Sequence, residues 1–373
     1  MKIVVFGLTV SSSWGNGHAT LWRGLIAALA RRGHRVVFFE KDVPYYAGYH
    51  RDLHELRDGE LIFYGEFGDA LELARRHLAD ADVGMVTSYC PDGRAASDLV
   101  LSSSAAARVF YDLDTGVTLA NLEAGQVPAY LPERGLGDFD LVLSYTGGRA
   151  LEQLRTTLGA RRVAPLYGHV DPAVHHPVDA VDQYRADLSY LGTYAADRQQ
   201  ALEKLFIQPA QQLAERRFLI GGAQYPADFP WTPNIYFVRH MPPPQHPHFF
   251  CSSRLTLNVT RKAMAEYGYC PSGRLFEAAA CGAPVLTDWF EGLEAFFEPG
   301  CEVLVARSSG DAIAAIELSD AELRRVAEAA RERTLSEHTS ERRAQDFERA
   351  VAGALGARTA IDDAAALAAG RGG

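Results

Sequence analysis

The chain reads as an α/β protein of two domains, each a parallel sheet wound on both faces by helices. Three observations predict this. The chain opens strand, helix, strand within its first forty residues. Short apolar runs then recur with helical patterns between several of them, and around residue 170 this pattern breaks and starts again.

Lys2–Phe6 is a buried strand, Ala19–Arg32 a helix with Leu21, Leu25 and Leu29 on one face, and Arg35–Glu40 a second strand after Gly33. Runs at Val83–Val86, Val109–Tyr111, Leu141–Leu143 and Val163–Leu166 extend the sheet, giving a Rossmann-like domain over 1–170. Tyr167-Gly-His-Val-Asp-Pro-Ala-Val-His-His-Pro177 interrupts it, which places a linker at 171–187. Strands restart at Leu188–Leu191, Phe218–Ile220, Ile235–Val238, Leu255–Val259 and Val285–Leu286, a second Rossmann-like domain over 188–335. Ser319-x-x-Glu322 is a capping box opening a helix to about Arg333. Thr339-Ser340 opens another, with Arg343, Phe347 and Val351 at i+4 spacing, over 336–357. The Ala- and Gly-rich tail, 358–373, is expected to be flexible.

With 373 residues and 47% apolar content, the chain can bury two separate cores. A formal net charge of −10 argues against a nucleic-acid partner, which selects basic surfaces, so any anionic ligand must be held locally. Five cysteines (Cys90, Cys251, Cys270, Cys281, Cys301) without a CxxC pair fit reduced thiols and a cytoplasmic protein rather than a zinc site. No apolar run approaches about 18 residues and the first strand begins at once, so neither a membrane span nor a secretion signal is expected.

The densest segment is Cys270–Asp288. Ser272 can cap a helix, Gly273 admits a ligand to its free N–H groups, Gly282 ends it, and Pro284 precedes the strand Val285–Leu286. Such an N-terminus holds phosphate, and the small run Ala278-Ala279-Ala280 lets the helix lie close to a sheet, so that Glu277 would meet a ribose one turn below. The same residues also fit a packing helix with Arg274 and Glu277 as an i,i+3 ion pair.

In the first domain, Ser11-Ser-Ser-Trp-Gly-Asn-Gly-His18 joins strand one to the first helix, and Gly15, Asn16 and Gly17 allow close approach of another molecule. His18 sits at the helix N-terminus, where the dipole disfavours an imidazolium and keeps the ring available as a base. Gly15-x-Gly17 with Glu40 imitates a dinucleotide fingerprint, although the loop Gly7–Trp14 separates it from its strand. Asp112 and Asp114 end a strand and face one side if the strand persists; either could serve as general base or merely cap the turn.

Ser272-Gly-Arg-Leu-Phe-Glu-Ala-Ala-Ala-Cys-Gly-Ala-Pro284, Asp288-Trp-Phe-Glu-Gly-Leu293 and Phe296-Phe-Glu-Pro-Gly300 form an ordered set with Leu257-Asn-Val-Thr-Arg261, Gly268-Tyr-Cys-Pro-Ser272, Tyr111-Asp-Leu-Asp-Thr115 and Gly192-Thr-Tyr194. In these motifs the sequence resembles the CgeB-like glycosyltransferases, related to the "group 1" GT-B enzymes. The resemblance implies a GT-B fold, with two Rossmann-like domains facing across a cleft and a C-terminal helix returning to the first domain. It implies transfer of a sugar from a nucleotide-sugar donor, such as a UDP-sugar, to a hydroxyl acceptor, with neither metal nor cofactor. The diphosphate leaving group needs cations, for which Arg261 and Arg274 are the candidates, with Asn258, Ser272, Gly273 and Glu277 nearby. Gly192, Thr193, Asp288 and Glu291 are further donor-side candidates, and Asp112, Asp114 and His18 the candidate bases. Two positions depart from the family: Gly116 replaces a proline after Asp-Thr, which would leave that loop more mobile, and Tyr269 stands where retaining relatives carry a glutamate. A nucleotide-sugar 2-epimerase, a nicotinamide-dependent oxidoreductase and a non-catalytic coat-like role are the competing classes; the sequence assigns neither acceptor, stereochemistry nor oligomeric state.

Overall fold

The computed structural model describes residues 1–369, and for Tyr49 and residues 358–369 it describes the backbone alone. Seven strands form the first sheet: β1 (Lys2–Gly7), β2 (Arg35–Lys41), β3 (Glu60–Tyr64), β4 (Val83–Thr87), β5 (Ala107–Asp112), β6 (Leu141–Ser144) and β7 (Val163–Pro165). Their order is β3-β2-β1-β4-β5-β6-β7, and every pairing is parallel. Six strands form the second: β8 (Leu188–Leu191), β9 (Phe218–Gly222), β10 (Ile235–Arg239), β11 (Thr256–Asn258), β12 (Val285–Thr287) and β13 (Leu304–Val305). These run β10-β9-β8-β11-β12-β13, again all parallel.

Continuous apolar runs are what a strand covered on both faces requires, and β1 and β4 are accordingly buried along their lengths. One core cluster lies on the face of the first sheet that holds Phe39, Phe110 and Leu154. Another fills the second domain around Phe206, Phe218 and Leu257. The largest runs through both domains, joining Trp22 and Tyr111 to Phe276 and Phe347.

Phe347 lies on the last helix, Ser340–Ala369, which crosses back to the first domain. There Arg32 donates to Glu348 at 2.7 Å and to Glu341 at 2.8 Å, and His34 Nε2 meets Glu348 at 2.6 Å. Gly24 makes this docking possible, because a Cβ there would stand 2.6 Å from Ser340 Oγ. The helix continues past residue 357, where the sequence suggested an end; 370–373 lie outside the described residues. The capping box of Ser319 and Glu322 is present and opens Asp320–Glu337. Strands β3 and β13 are additions to the sequence reading: β3, with the apolar run Leu61–Tyr64, is a half-buried edge, and β13 has two residues.

Candidate active site

The carboxyl ends of both sheets open on one cavity of about 530 Å³, inside the usual range for small-molecule sites of roughly 300–1,000 Å³. Strand order reverses between β1 and β4 in one sheet and between β8 and β11 in the other, and these switch points are where such folds leave a crevice. Loops after β1, β4 and β5 make one wall. Loops after β8 and β11 make the other, together with the start of the helix Gly273–Ala280.

That helix start is open. Ser272 holds the N-cap position with extended backbone (φ −65°, ψ 142°), yet its side chain makes no capping hydrogen bond and no acid sits in the first turn. Ser272 and Gly273 both line the cavity, so the positive end of the helix dipole faces it. Gly282, at φ 74°, ends the segment in the left-handed conformation anticipated from sequence.

Arg274 does not pair with Glu277. Its Nε donates to the Leu191 carbonyl and its Nη1 to Asn258 Oδ1 at 2.8 Å, while the guanidinium lies 5.0 Å from the Tyr190 ring centre. The strand ends of β8 and β11 thus claim the side chain, which removes the ion-pair reading. Among the described residues no side chain hydrogen-bonds to Glu277, which lines the cavity. Burial pushes its carboxyl above the ordinary range against the pull of His246 and Arg274.

On the opposite wall β5 ends at Asp112, and Asp114 is already the N-cap of the helix Thr115–Glu123, so the two acids part. Asp112 is fully buried and accepts from Thr118 Oγ1 at 3.1 Å and the Asp114 N–H at 3.2 Å; it holds the turn and does not reach the cavity. Asp114 does. Tyr89 donates to it at 3.0 Å, His18 Nε2 stands 3.9 Å away, and Arg261 Nη1 reaches across from the second domain to 3.5 Å. Burial alone would raise the Asp114 carboxyl, but His18, Arg261 and Tyr89 together hold it below the usual range.

Gly15, Asn16, Gly17, His18, Gly192, Thr193 and Arg261 also line the cavity. Asn16 has a shaping role: its Oδ1 accepts the His18 N–H at 3.1 Å and its amide donates to Thr9 and Ser12 carbonyls, both at 3.3 Å. Four candidates stand elsewhere. Asn258 lies behind Arg274 and braces it. Asp288 accepts from Thr260 N at 3.0 Å and Thr260 Oγ1 at 2.9 Å, shaping the turn that presents Arg261 rather than facing a sugar. Glu291 uses its carbonyl to accept the Tyr269 N–H at 2.6 Å and is outside the cavity, and so is Asp112.

Glu40 answers the dinucleotide question. Its carboxylate accepts from Thr9 Oγ1, Val10 N, Ser11 N and Ser11 Oγ at 2.5–3.0 Å, so it pins the loop after β1 and has no lone pair to offer a ribose. Gly116 is likewise no source of mobility. It belongs to the helix Thr115–Glu123, and an added Cβ would meet the Ala263 carbonyl oxygen at 2.5 Å, so its missing side chain lets the domains touch. Tyr269 adopts φ 45° and packs against Gly147, Gly148 and Gly292, away from the cavity.

Sequence reasoning missed several lining residues. Arg198, in the loop after β8, reaches the cavity with its Nε buried and unpartnered, a third arginine beside Arg261 and Arg274. Tyr89, Gln224 and His240 line it in left-handed backbone, three of the four such non-glycine residues described; that clustering at one cavity is typical of functional sites.

Residues 198–349 match the glycosyl transferase-like family. No curated protein matches the sequence. Among solved structures, sucrose-phosphate synthase from Thermosynechococcus elongatus superimposes with a TM-score of 0.71 at 15% identity over 96% of this chain and 100% of that one. HepE from Anabaena in complex with UDP-glucose gives 0.63 at 12% identity over 95% of this chain and 100% of that one. The catalytic domain of starch synthase IV from Arabidopsis thaliana, bound to ADP and acarbose, gives 0.66 at 10% identity over 95% and 99%. No described helix is long and apolar enough to cross a membrane. The superpositions establish the GT-B fold, and the match to the glycosyl transferase-like family covers most of the second domain and the start of the last helix.

Proposed function

We propose that the protein transfers a sugar from a nucleoside-diphosphate donor to a hydroxyl acceptor without a metal ion, in the manner of the CgeB-like enzymes its motifs resemble. The observation that carries this reading is the uncapped start of the helix Gly273–Ala280, with the Glu277 side chain making no hydrogen bond among the described residues one turn inside it and Arg198, Arg261 and Arg274 converging on the same cavity. Backbone N–H groups and guanidinium groups offset the charge that grows on the diphosphate as the anomeric C–O bond breaks, the work a divalent ion would otherwise do. Glu277 accepts hydrogen bonds from the ribose hydroxyls. The acceptor oxygen attacks the anomeric carbon from the side of the first domain, its proton passes to His18, and Asp114 stabilises the imidazolium so formed. The family match favours transfer over the epimerase alternative.

Two measurements test this. A thermal-shift panel of UDP, GDP, ADP and TDP should single out one diphosphate, because a ligand bound only by the folded state raises its apparent stability. Transfer from the matching donor should persist in excess chelator. Loss restored by Mg²⁺ or Mn²⁺ would overturn metal independence, and no shift with any diphosphate would overturn the donor site.

A further inference from the structure

At the foot of the donor cavity, three side chains from separate segments face one another. His175 comes from the linker, His246 opens the helix His246–Cys251, and Glu277 comes from the helix Gly273–Ala280. One potential ligand atom from each lies within 4.8 Å of the others. His175 is 3% exposed and its Nε2 has no partner. His246 Nδ1 is also buried without a partner, while its Nε2 stands 3.1 Å from the Met241 carbonyl. That contact places the ring proton on Nε2 and leaves the Nδ1 lone pair free, the carbonyl-oriented arrangement common behind a metal-ligating imidazole.

Two unpaired imidazole nitrogens and an unengaged carboxylate in one partly buried corner need a common partner. Water could join them, but the donor set has a chemical preference. Two nitrogens and one oxygen suit Zn²⁺ or a similar borderline transition ion, and suit Mg²⁺ and Ca²⁺ poorly. Tetrahedral bonds of about 2.0–2.1 Å put ligand atoms about 3.3 Å apart, within reach of side-chain rotation from the present spacing. The cavity supplies the fourth position.

We propose that this cluster is an inhibitory zinc-type site, in which the ion occupies His175, His246 and Glu277 and excludes the nucleotide donor. The exclusion rests on the assignment of Glu277 to the donor ribose, since the rotation that brings its carboxylate onto the ion beside His175 and His246 draws it away from the ribose hydroxyls. The ion also ties the linker to the second domain. Donor and ion therefore bind in competition, and the ion is not needed for transfer.

The test titrates the metal-free full-length protein with Zn²⁺ by calorimetry, with and without saturating UDP. One site is expected, weakened at least about tenfold in His175→Gln and in His246→Gln, a loss that melting curves of both variants without metal separate from misfolding. Saturating UDP should weaken Zn²⁺ binding in the wild type to a similar degree. Without metal, His175→Gln should transfer sugar at the wild-type rate and resist zinc inhibition. Binding that survives both histidine variants but is lost in Cys251→Ser would assign the ion to thiols and overturn the proposal, and so would the absence of binding. Histidine-dependent binding that UDP does not weaken would overturn the inhibitory role. Failure of UDP to bind at all, with histidine-dependent zinc binding intact, would instead count against the donor reading.

Discussion

Gly116→Ala places one methyl group between the two domains. The new Cβ would stand 2.5 Å from the Ala263 oxygen, 2.9 Å from Met264 Cα and 3.0 Å from the Ala263 carbonyl carbon, and all three are backbone atoms that no side-chain rotation can move. Carbon–oxygen contacts sit at about 3.3 Å or beyond, so the helices Thr115–Glu123 and Lys262–Ala265 must separate by about 0.8 Å or more. Asp114 immediately precedes the first helix and Arg261 the second, so the same shift opens their 3.5 Å pair across the cleft. Overpacking costs about 1–3 kcal/mol, and the better helix propensity of alanine returns up to about 1 kcal/mol, which leaves stability little changed or modestly lowered. Catalysis suffers more, because a misplacement near 1 Å costs about 100-fold, or about 2.7 kcal/mol of barrier. Steady-state kinetics with the matched donor should show kcat down by that order, while calorimetric UDP affinity stays near the wild-type value because the donor site lies in the second domain. A variant with wild-type kcat and an unchanged melting curve would refute the claim that this contact sets the distance between the walls.

Asp114→Asn should lower kcat by about 10²–10⁴-fold with little change in UDP affinity, whereas Asp112→Asn should act on the melting temperature first. Arg198→Ala should weaken UDP binding by about 10–100-fold, the loss of one charge-assisted contact to diphosphate, measured by calorimetry. Glu348→Gln tests the docking of the last helix. Arg32 and His34 hold the Glu348 carboxyl down to about 2, so its stabilisation is complete above the ordinary glutamate value of about 4.3 and is lost as pH falls toward 2. Wild type should therefore melt above the variant at pH 7, with the gap closing through that acid window.

The sequence was most legible where one local rule governs a segment. Buried parallel strands leave apolar runs, the Ser319–Glu322 box marks a helix start by residue type alone, and Gly282 stops a helix because few other residues tolerate its backbone. Legibility failed where the deciding partner is distant in sequence. Whether Arg274 pairs with Glu277 or with Asn258 depends on the sheet behind it. Asp112 and Asp114 cannot be ranked without knowing that β5 stops between them. Asp288 looks like a loop acid until the Thr260 turn closes on it, and Arg198 sits in a polar run that nothing marks as the rim of a cavity. Gly116 read as a loosened proline position because a close approach between domains leaves no trace in one sequence.

The central claim is that Glu277 holds the ribose of the donor, and the most direct measurement compares UDP with 2′,3′-dideoxy-UDP on wild type and Glu277→Ala by calorimetry. Two hydroxyl contacts to a carboxylate at about 1.5–3 kcal/mol each predict that wild type prefers UDP by at least about 100-fold. The variant should bind both nucleotides alike. Equal binding by wild type, or a preference that survives in Glu277→Ala, would contradict the account.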